Sequence, residues 1–167
     1  MTATEPKRGE PVVVQFNCSG KATGKMRNDL SVRMVQPPSD EVIELATDEG
    51  AYHGGDATAP PPLSLFVASL TGCIMTQLRA FSRRMGVKID DLNVETRVIW
   101  TRTTIGRLYE TAPESIEIDV FLESSDADDN VVALIEAAKK GCFIEQTLGA
   151  ANTITHRYKS GEEFISV

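Results

Sequence analysis

The groups in this chain best suited to covalent chemistry are its three thiols, Cys18, Cys73 and Cys142. Cys73 stands in SLTGCIMTQL, residues 69–78, one of the most apolar stretches, with no charge before Arg79. A thiol so placed is either a small core residue or a reactive group held out of water. Peroxide reduction is the chemistry that asks for the second: a thiolate attacks a peroxide oxygen, becomes a sulfenic acid, and escapes over-oxidation by condensing with a nearby thiol. An apolar setting favours an alkyl hydroperoxide over hydrogen peroxide, yet it also disfavours a thiolate, because desolvation penalises the anion. Helix polarity offers no remedy. Cys73 lies about three turns inside a helix that starts near Leu63, and the macrodipole fades within the first turn. A cation has to reach it.

Other chemistries find less support. Three cysteines, odd in number and widely spaced, argue against the disulfide framework of a secreted protein; in a reducing compartment a pair among them is transient and redox-active. Cys18 reads as structural or incidental. His53, in a loop beside Gly54-Gly55, is expected to be solvated, and His156, in ITHRY, to sit in a sheet. Neither has a motif that would make it the base of a cysteine hydrolase or transferase. Dispersed cysteines with two histidines form no metal cluster, and no cofactor is implied. Glu145, three residues after Cys142, is expected on the same helical face, where a carboxylate opposes thiolate formation.

The elements that must position these residues are legible in the pattern. VVVQFNCSG and MRNDLSVRMV, around a glycine-bearing turn, predict a strand-turn-strand unit, and EVIELAT a third strand. DEGAYHGGDATAPPP, residues 48–62, must be a loop whose prolines suit the entry to a helix. From Leu63 to Met85, Phe66, Val67, Leu70, Ile74, Leu78 and Phe81 keep helical spacing. Through Met75 the stretch is apolar nearly all round, which predicts burial on most sides, within the fold or between subunits. Gly86 closes the helix. LNVETRVIWTRT and ESIEIDVFLES alternate as two antiparallel strands joined by a turn region around Gly106 and Pro113. DADDNVVALIEAAKKGCFIEQTLG predicts a second helix, its acids at 125–129 forming the cap and Val132, Ile135, Ala138, Cys142 and Leu148 one buried face. ANTITHRYKSG and EEFISV close the chain as strands. The class is α+β, mostly antiparallel because the links are short.

The totals agree with a soluble globular protein. The 167 residues, 41% hydrophobic and 25% charged, suffice for one domain spanning 1–167 with a real core. A net charge of −7 with scattered basic residues speaks against nucleic acid as a partner. MTATEPKRGE lacks the apolar centre of a signal peptide, and polar residues interrupt the apolar segments before membrane-spanning length, so a cytoplasmic protein without membrane attachment is expected.

Two local sequences point further. GGDATAPPPLSLFVASLTGC resembles the Gly-Gly, proline, apolar-helix-to-cysteine stretch of the OsmC/Ohr family, and LIEAAKKGCFIEQTLGAANTITHRY resembles its second-cysteine helix and closing strand. The resemblance runs from about Leu45 to Lys159. It implies an OsmC-like α+β fold in which two long central helices are wrapped by sheets of an intertwined homodimer. It implies a peroxidatic role for Cys73 and a resolving role for Cys142. In hydroperoxide reductases of that family an arginine, held by a glutamate near the start of the cysteine helix, supplies the charge. Here that glutamate position holds Leu63, and GCFIEQ has no proline after its cysteine. Against that family pattern, Arg27 and Arg33 in the second strand are the candidates for the missing charge, with Arg27 preferred though no motif separates them, and Glu49 or Asp48 in the loop are the possible replacement anchors.

The expectation is therefore a thiol-dependent peroxidase acting on organic hydroperoxides through a Cys73 sulfenate and a Cys73–Cys142 disulfide, with Arg27 or Arg33 stabilising the thiolate and a thiol reductant completing the cycle. The alternative, favoured by Leu63, is a non-peroxidatic OsmC-like protein that binds a small hydrophobic ligand or electrophile in the cavity between its helices.

Overall fold

A computed structural model of the chain describes residues 9–166. The expectation drawn from the first eight residues lies outside these, as does Val167 at the end of the last predicted strand. The chain divides into two compact units, one ending at Phe66 and the other starting at Val67.

In the first unit, β1 (Gln15–Ala22), β2 (Asn28–Gln36) and β3 (Val42–Thr47) form an antiparallel sheet in that order. The β1–β2 turn closes with the Thr23 N–H donating to the Arg27 carbonyl at 2.9 Å. After β3 the loop makes one 3-10 turn, Ala51–His53, ended by Gly54 in the left-handed region at φ 80°. Gly54 is needed for that dihedral, whereas Gly55 is needed for space: a Cβ there would land on the Glu49 carbonyl. The two glycines thus have different reasons to be glycine.

Helix α1 (Pro62–Met85) enters through prolines, as expected. Pro61 accepts the N–H groups of Ser64 and Leu65, while Pro62 has no N–H to leave unpaired. Its end is a glycine stop: Gly86 takes φ 70°, and the Val87 N–H reaches back to the Ser82 carbonyl at 3.0 Å.

The second unit is built on β4 (Asp91–Ile105) paired antiparallel with β5 (Leu108–Glu123). Leu92, Val94, Ile118, Val120 and Leu122 alternate onto one face and pack on a core of Ile74, Leu78, Val87, Leu134, Ala138 and Cys142. Glu95, Arg97, Glu117 and Asp119 face outward, as alternation predicts. Pro113 is not part of the turn. The hairpin turns at Gly106, φ 61°, and Pro113 lies within β5 opposite Trp100, where an extra residue shifts the register. A ribbon edge tolerates a residue with no N–H to give.

The predicted second helix is interrupted. Helix α2 (Asp128–Gly141) and α3 (Phe143–Gly149) are separated by Cys142, which is extended at φ −78°, ψ 108°. The buried stripe of α2 runs through Val131, Leu134, Ile135 and Ala138; Val132 is 58% exposed and Leu148 is exposed too, against expectation. Nor do the acids cap it. The cap residue is Ala127, and Asp126 instead accepts the Lys88 N–H at 2.7 Å. A last hairpin, β6 (Arg157–Ser160) and β7 (Glu163–Ser166), follows; His156 falls just before β6 rather than within the sheet.

By length and composition α1 is apolar enough to cross a membrane, contrary to the expectation that polar residues interrupt every such stretch. Among the described residues only the stripe Leu70, Ile74, Leu78 and Ser82 of α1 is closed, and Gly72 and Thr76 opposite are open, so the expected burial on most sides is not met by these residues alone. Ile74 and Leu78 of that stripe belong to the core above, and the core helix of a soluble protein passes the same length-and-composition test.

Candidate active site

Cys73 belongs to the buried side of α1, one residue before Ile74 and three after Leu70. Two residues before it, the Thr71 hydroxyl donates to the Val67 carbonyl at 2.9 Å and meets the Thr96 hydroxyl of β4, also at 2.9 Å. These bonds fix this turn of α1 against the ladder. Cys73 itself is half-buried against the core that contains Cys142.

Cys142 is fully buried. The residue before it explains the close approach: a Cβ on Gly141 would lie 2.6 Å from the Phe81 ring, so only glycine lets the end of α2 come this near α1. The helix break then turns the Cys142 side chain into the core, and α3 restarts with the Gln146 N–H on the Cys142 carbonyl at 2.9 Å.

The thiols meet. Burial, followed by a hydrogen bond to Cys73, pushes the Cys142 thiol up to about 11, against the pull of the Glu145 and Ile144 backbone N–H groups. Cys142 therefore keeps its proton and donates it toward the Cys73 sulfur. The pair is unlinked, with all three cysteines free. Chemically, this is an accessible thiol with a protonated, inaccessible thiol in contact behind it.

Glu145 differs from expectation. It is not on a continuous helix with Cys142, and the residue is half-buried, with Oε2 of its carboxyl closed from water and unpaired. Desolvation raises its pKa, so it opposes a neighbouring thiolate less than a free carboxylate would.

In the first unit, Arg27 is held from two sides. Its guanidinium donates to Asp29 Oδ1 at 3.0 and 2.9 Å, and to the Thr58 carbonyl and hydroxyl at 3.3 and 3.0 Å. The Thr58 hydroxyl in turn donates to Asp48 Oδ2 at 2.8 Å, as does the Thr58 N–H at 2.9 Å. Asp48 is 1% exposed, and these bonds, the Thr58 N–H first, hold its carboxyl below the usual range. Of the two anchors considered, Asp48 is the one connected to Arg27, through Thr58. Glu49 is engaged by His53, whose Nδ1 lies 3.1 Å from its carboxylate, so His53 is not simply solvated. Thr58 was missed in the sequence; its only signal is a hydroxyl ten positions after Asp48, beyond a double glycine.

The remaining candidates stand apart from this network. Arg33 is exposed and borders an open hollow with Cys18 on the β1–β2 sheet. Cys18 is exposed. Leu63 is 56% exposed in the first turn of α1. Among the described residues no three His, Cys, Asp or Glu side chains are grouped to hold a metal.

Comparisons with known proteins agree with this geometry. A family model described as OsmC-like protein matches residues 54–157. The crystal structure of an OsmC-like hydroperoxide resistance protein from Jannaschia sp. CCS1 is 58% identical, with 92% of this chain and 98% of that one covered at a TM-score of 0.65. An organic hydroperoxide resistance protein OsmC from Legionella pneumophila shares the fold at 15% identity, with 80% and 88% covered and a TM-score of 0.56. So does a putative organic hydroperoxide resistance protein from Vibrio cholerae with captopril bound in one of its active sites, at 15% identity, 86% and 90% coverage and 0.55. No curated protein matches the chain.

Proposed function

The chain belongs to the OsmC-like protein family, and from that premise we propose that it is a thiol-dependent peroxidase that reduces organic hydroperoxides. The observation that carries this reading is the asymmetry of two touching thiols: Cys73 is half-buried, whereas Cys142 is sealed and keeps its proton to about 11. A peroxide reaches the first and not the second. The Cys73 thiolate attacks the terminal oxygen of R–O–OH; the S–O bond forms, the O–O bond breaks, and the electron pair leaves with the alkoxide. The Cys142 sulfur then attacks the sulfenic sulfur, water departs with the Cys142 proton, and a Cys73–Cys142 disulfide remains. An external thiol reductant returns the two electrons.

Arg27 supplies the positive charge that favours the Cys73 thiolate. What supports this choice over Arg33 is its preparation: Asp29 and the Asp48–Thr58 pair fix its guanidinium, doing for it what a glutamate at position 63 does in hydroperoxide reductases of the family. The working form is an intertwined homodimer in the cytoplasm, one domain per chain. Support comes from the large apolar side chains left open, among them Phe16 of β1 and Leu108 and Tyr109 at the tip of the β4–β5 ribbon. The relative from Jannaschia, described as a hydroperoxide resistance protein, supports the substrate class.

A second reading, a non-peroxidatic protein binding a small hydrophobic ligand, has one observation in its favour: a cleft of about 330 Å³ bordered by Leu70, Ile116, Ile118 and Leu148, in a chain with Leu63 at the glutamate position. Counting free thiols after cumene hydroperoxide, with mass spectrometry of the peptides, separates the two. The peroxidase loses two thiols per chain and yields a Cys73–Cys142 link; the binding protein keeps both.

A further inference from the structure

Glu145 is a half-buried acid of the second unit, with one carboxyl oxygen closed from water, that the reaction above leaves unused. It borders two adjoining clefts, one of about 330 Å³ with Leu70, Ile116, Ile118 and Leu148, the other of about 270 Å³ with Ile74, Val120 and Ile135 and with Glu136 and Lys139 on its rim. Ile118 borders both as well, so the carboxyl stands where the clefts meet. Leu70 and Ile74, which line one cleft each, bracket Cys73 on the same side of α1. Cys73 borders neither cleft; Glu145 is tied to the thiol pair through its backbone N–H, which is directed at the Cys142 sulfur in contact with Cys73.

Its environment fits no structural role. A carboxyl that served packing or a helix cap would have partners for its oxygens, yet Oε2 is closed from water and unpaired. The nearby charges are Lys139, already engaged with Glu136 at 2.9 Å, and Glu136 itself. Burial, with the neighbouring Glu136 charge, raises the pKa of its carboxyl against the pull of Lys139.

We infer that Glu145 is the proton donor to the leaving alkoxide, a catalytic acid at the junction of the clefts that take up the organic part of the hydroperoxide. This inference rests on the peroxidase reading and adds a residue to it. When the Cys73 thiolate takes the terminal oxygen, R–O⁻ accepts the Glu145 proton and leaves as the alcohol R–OH, and the resulting Glu145 carboxylate is reprotonated from solvent before the next turnover. An alkoxide is a poor leaving group in an apolar site, and a positioned acid relieves that cost; a carboxylate leaving group needs no such help.

The test compares two oxidants on the reduced full-length chain by stopped flow: cumene hydroperoxide, which releases an alkoxide, and peracetic acid, which releases a stable carboxylate. Glu145→Gln keeps the shape of the side chain and removes the acid. The expected result is a loss of about a hundredfold with cumene hydroperoxide and a change within about twofold with peracetic acid. Equal losses with both oxidants would assign Glu145 a structural role and overturn the inference, as would no loss with either. Cys73→Ser in the wild-type background keeps the two readings apart: if wild type consumes cumene hydroperoxide no faster than this variant, the peroxidase reading fails and the inference falls with it.

Discussion

Around Cys142 the chain excludes water and offers almost nothing polar in exchange; around Asp48 it excludes water and supplies a donor for each carboxylate oxygen. Oδ1 of Asp48 accepts the Glu49 N–H at 2.9 Å, and Oδ2 accepts both Thr58 groups. Cys142 has the Cys73 thiol and the weak pull of two backbone N–H groups. The opposite results follow from the same burial: the thiol is driven toward its neutral form, while the carboxylate is held ionised because hydrogen bonds to the charged form outweigh desolvation. One region stores a proton and the other stores a charge. The proposed peroxidase would use both, the first as a resolving thiol that stays silent until a sulfenate appears and the second to fix the Arg27 cation.

The contrast breaks most severely at Gly55. Gly55→Ala would drive a methyl group into the Glu49 carbonyl and the Asp48 carboxylate, so the loop has to move and the charge-holding network opens. A loss of stability of about 3 kcal/mol or more is expected in denaturant unfolding, with hydroperoxide consumption falling by about a hundredfold at temperatures where the variant remains folded. Next in size is Thr58→Val, which keeps the shape and removes the hydroxyl linking Asp48 to Arg27. Sulfenate formation should slow by roughly tenfold to a hundredfold, while the disulfide still forms once the sulfenate exists, a split that rapid-quench mass spectrometry reads directly.

The thiol side is sharpened by alkali. Because the folded Cys142 thiol lies near 11 and an unfolded one about two units lower, the stability it contributes is present below about pH 9 and lost as pH rises toward 11. Denaturant midpoints for wild type should therefore fall over that window by an equivalent of about 2 kcal/mol more than those for Cys142→Ala, which has no such thiol. The smallest effect is expected from Leu63→Glu. It restores the family's acid at an exposed site, and because Asp48 and Thr58 already hold Arg27, consumption should change by less than about threefold and stability by less than about 0.5 kcal/mol. A large gain would mean that the replacement anchor is not working.

What the sequence disclosed follows the same division. Local chemistry was readable: proline entry to α1, the Gly86 stop, the i, i+4 stripe of Leu70, Ile74 and Leu78, and alternation in β4 and β5. Interruptions imposed by packing were not. Tandem Val131 and Val132 offer two stripes one residue apart, and only contact with the core selects Val131. No proline announces the break at Cys142; it follows from Gly141 closing onto Phe81 and the thiol turning inward. Pro113 carries a turn signal, but a two-stranded ribbon accepts it at a register shift. Of the candidate residues, Cys73, Cys142 and Arg27 were named from residue type and resemblance, whereas Thr58 and the buried oxygen of Glu145 depend on distances that no spacing rule encodes.

The most direct measurement of the central claim is stopped-flow consumption of cumene hydroperoxide by the reduced chain, wild type against Cys73→Ser, with mass spectrometry of the products. Rapid consumption by wild type alone, ending in a Cys73–Cys142 disulfide, is the predicted result. Slow and equal consumption by both proteins, with both thiols intact, would contradict it.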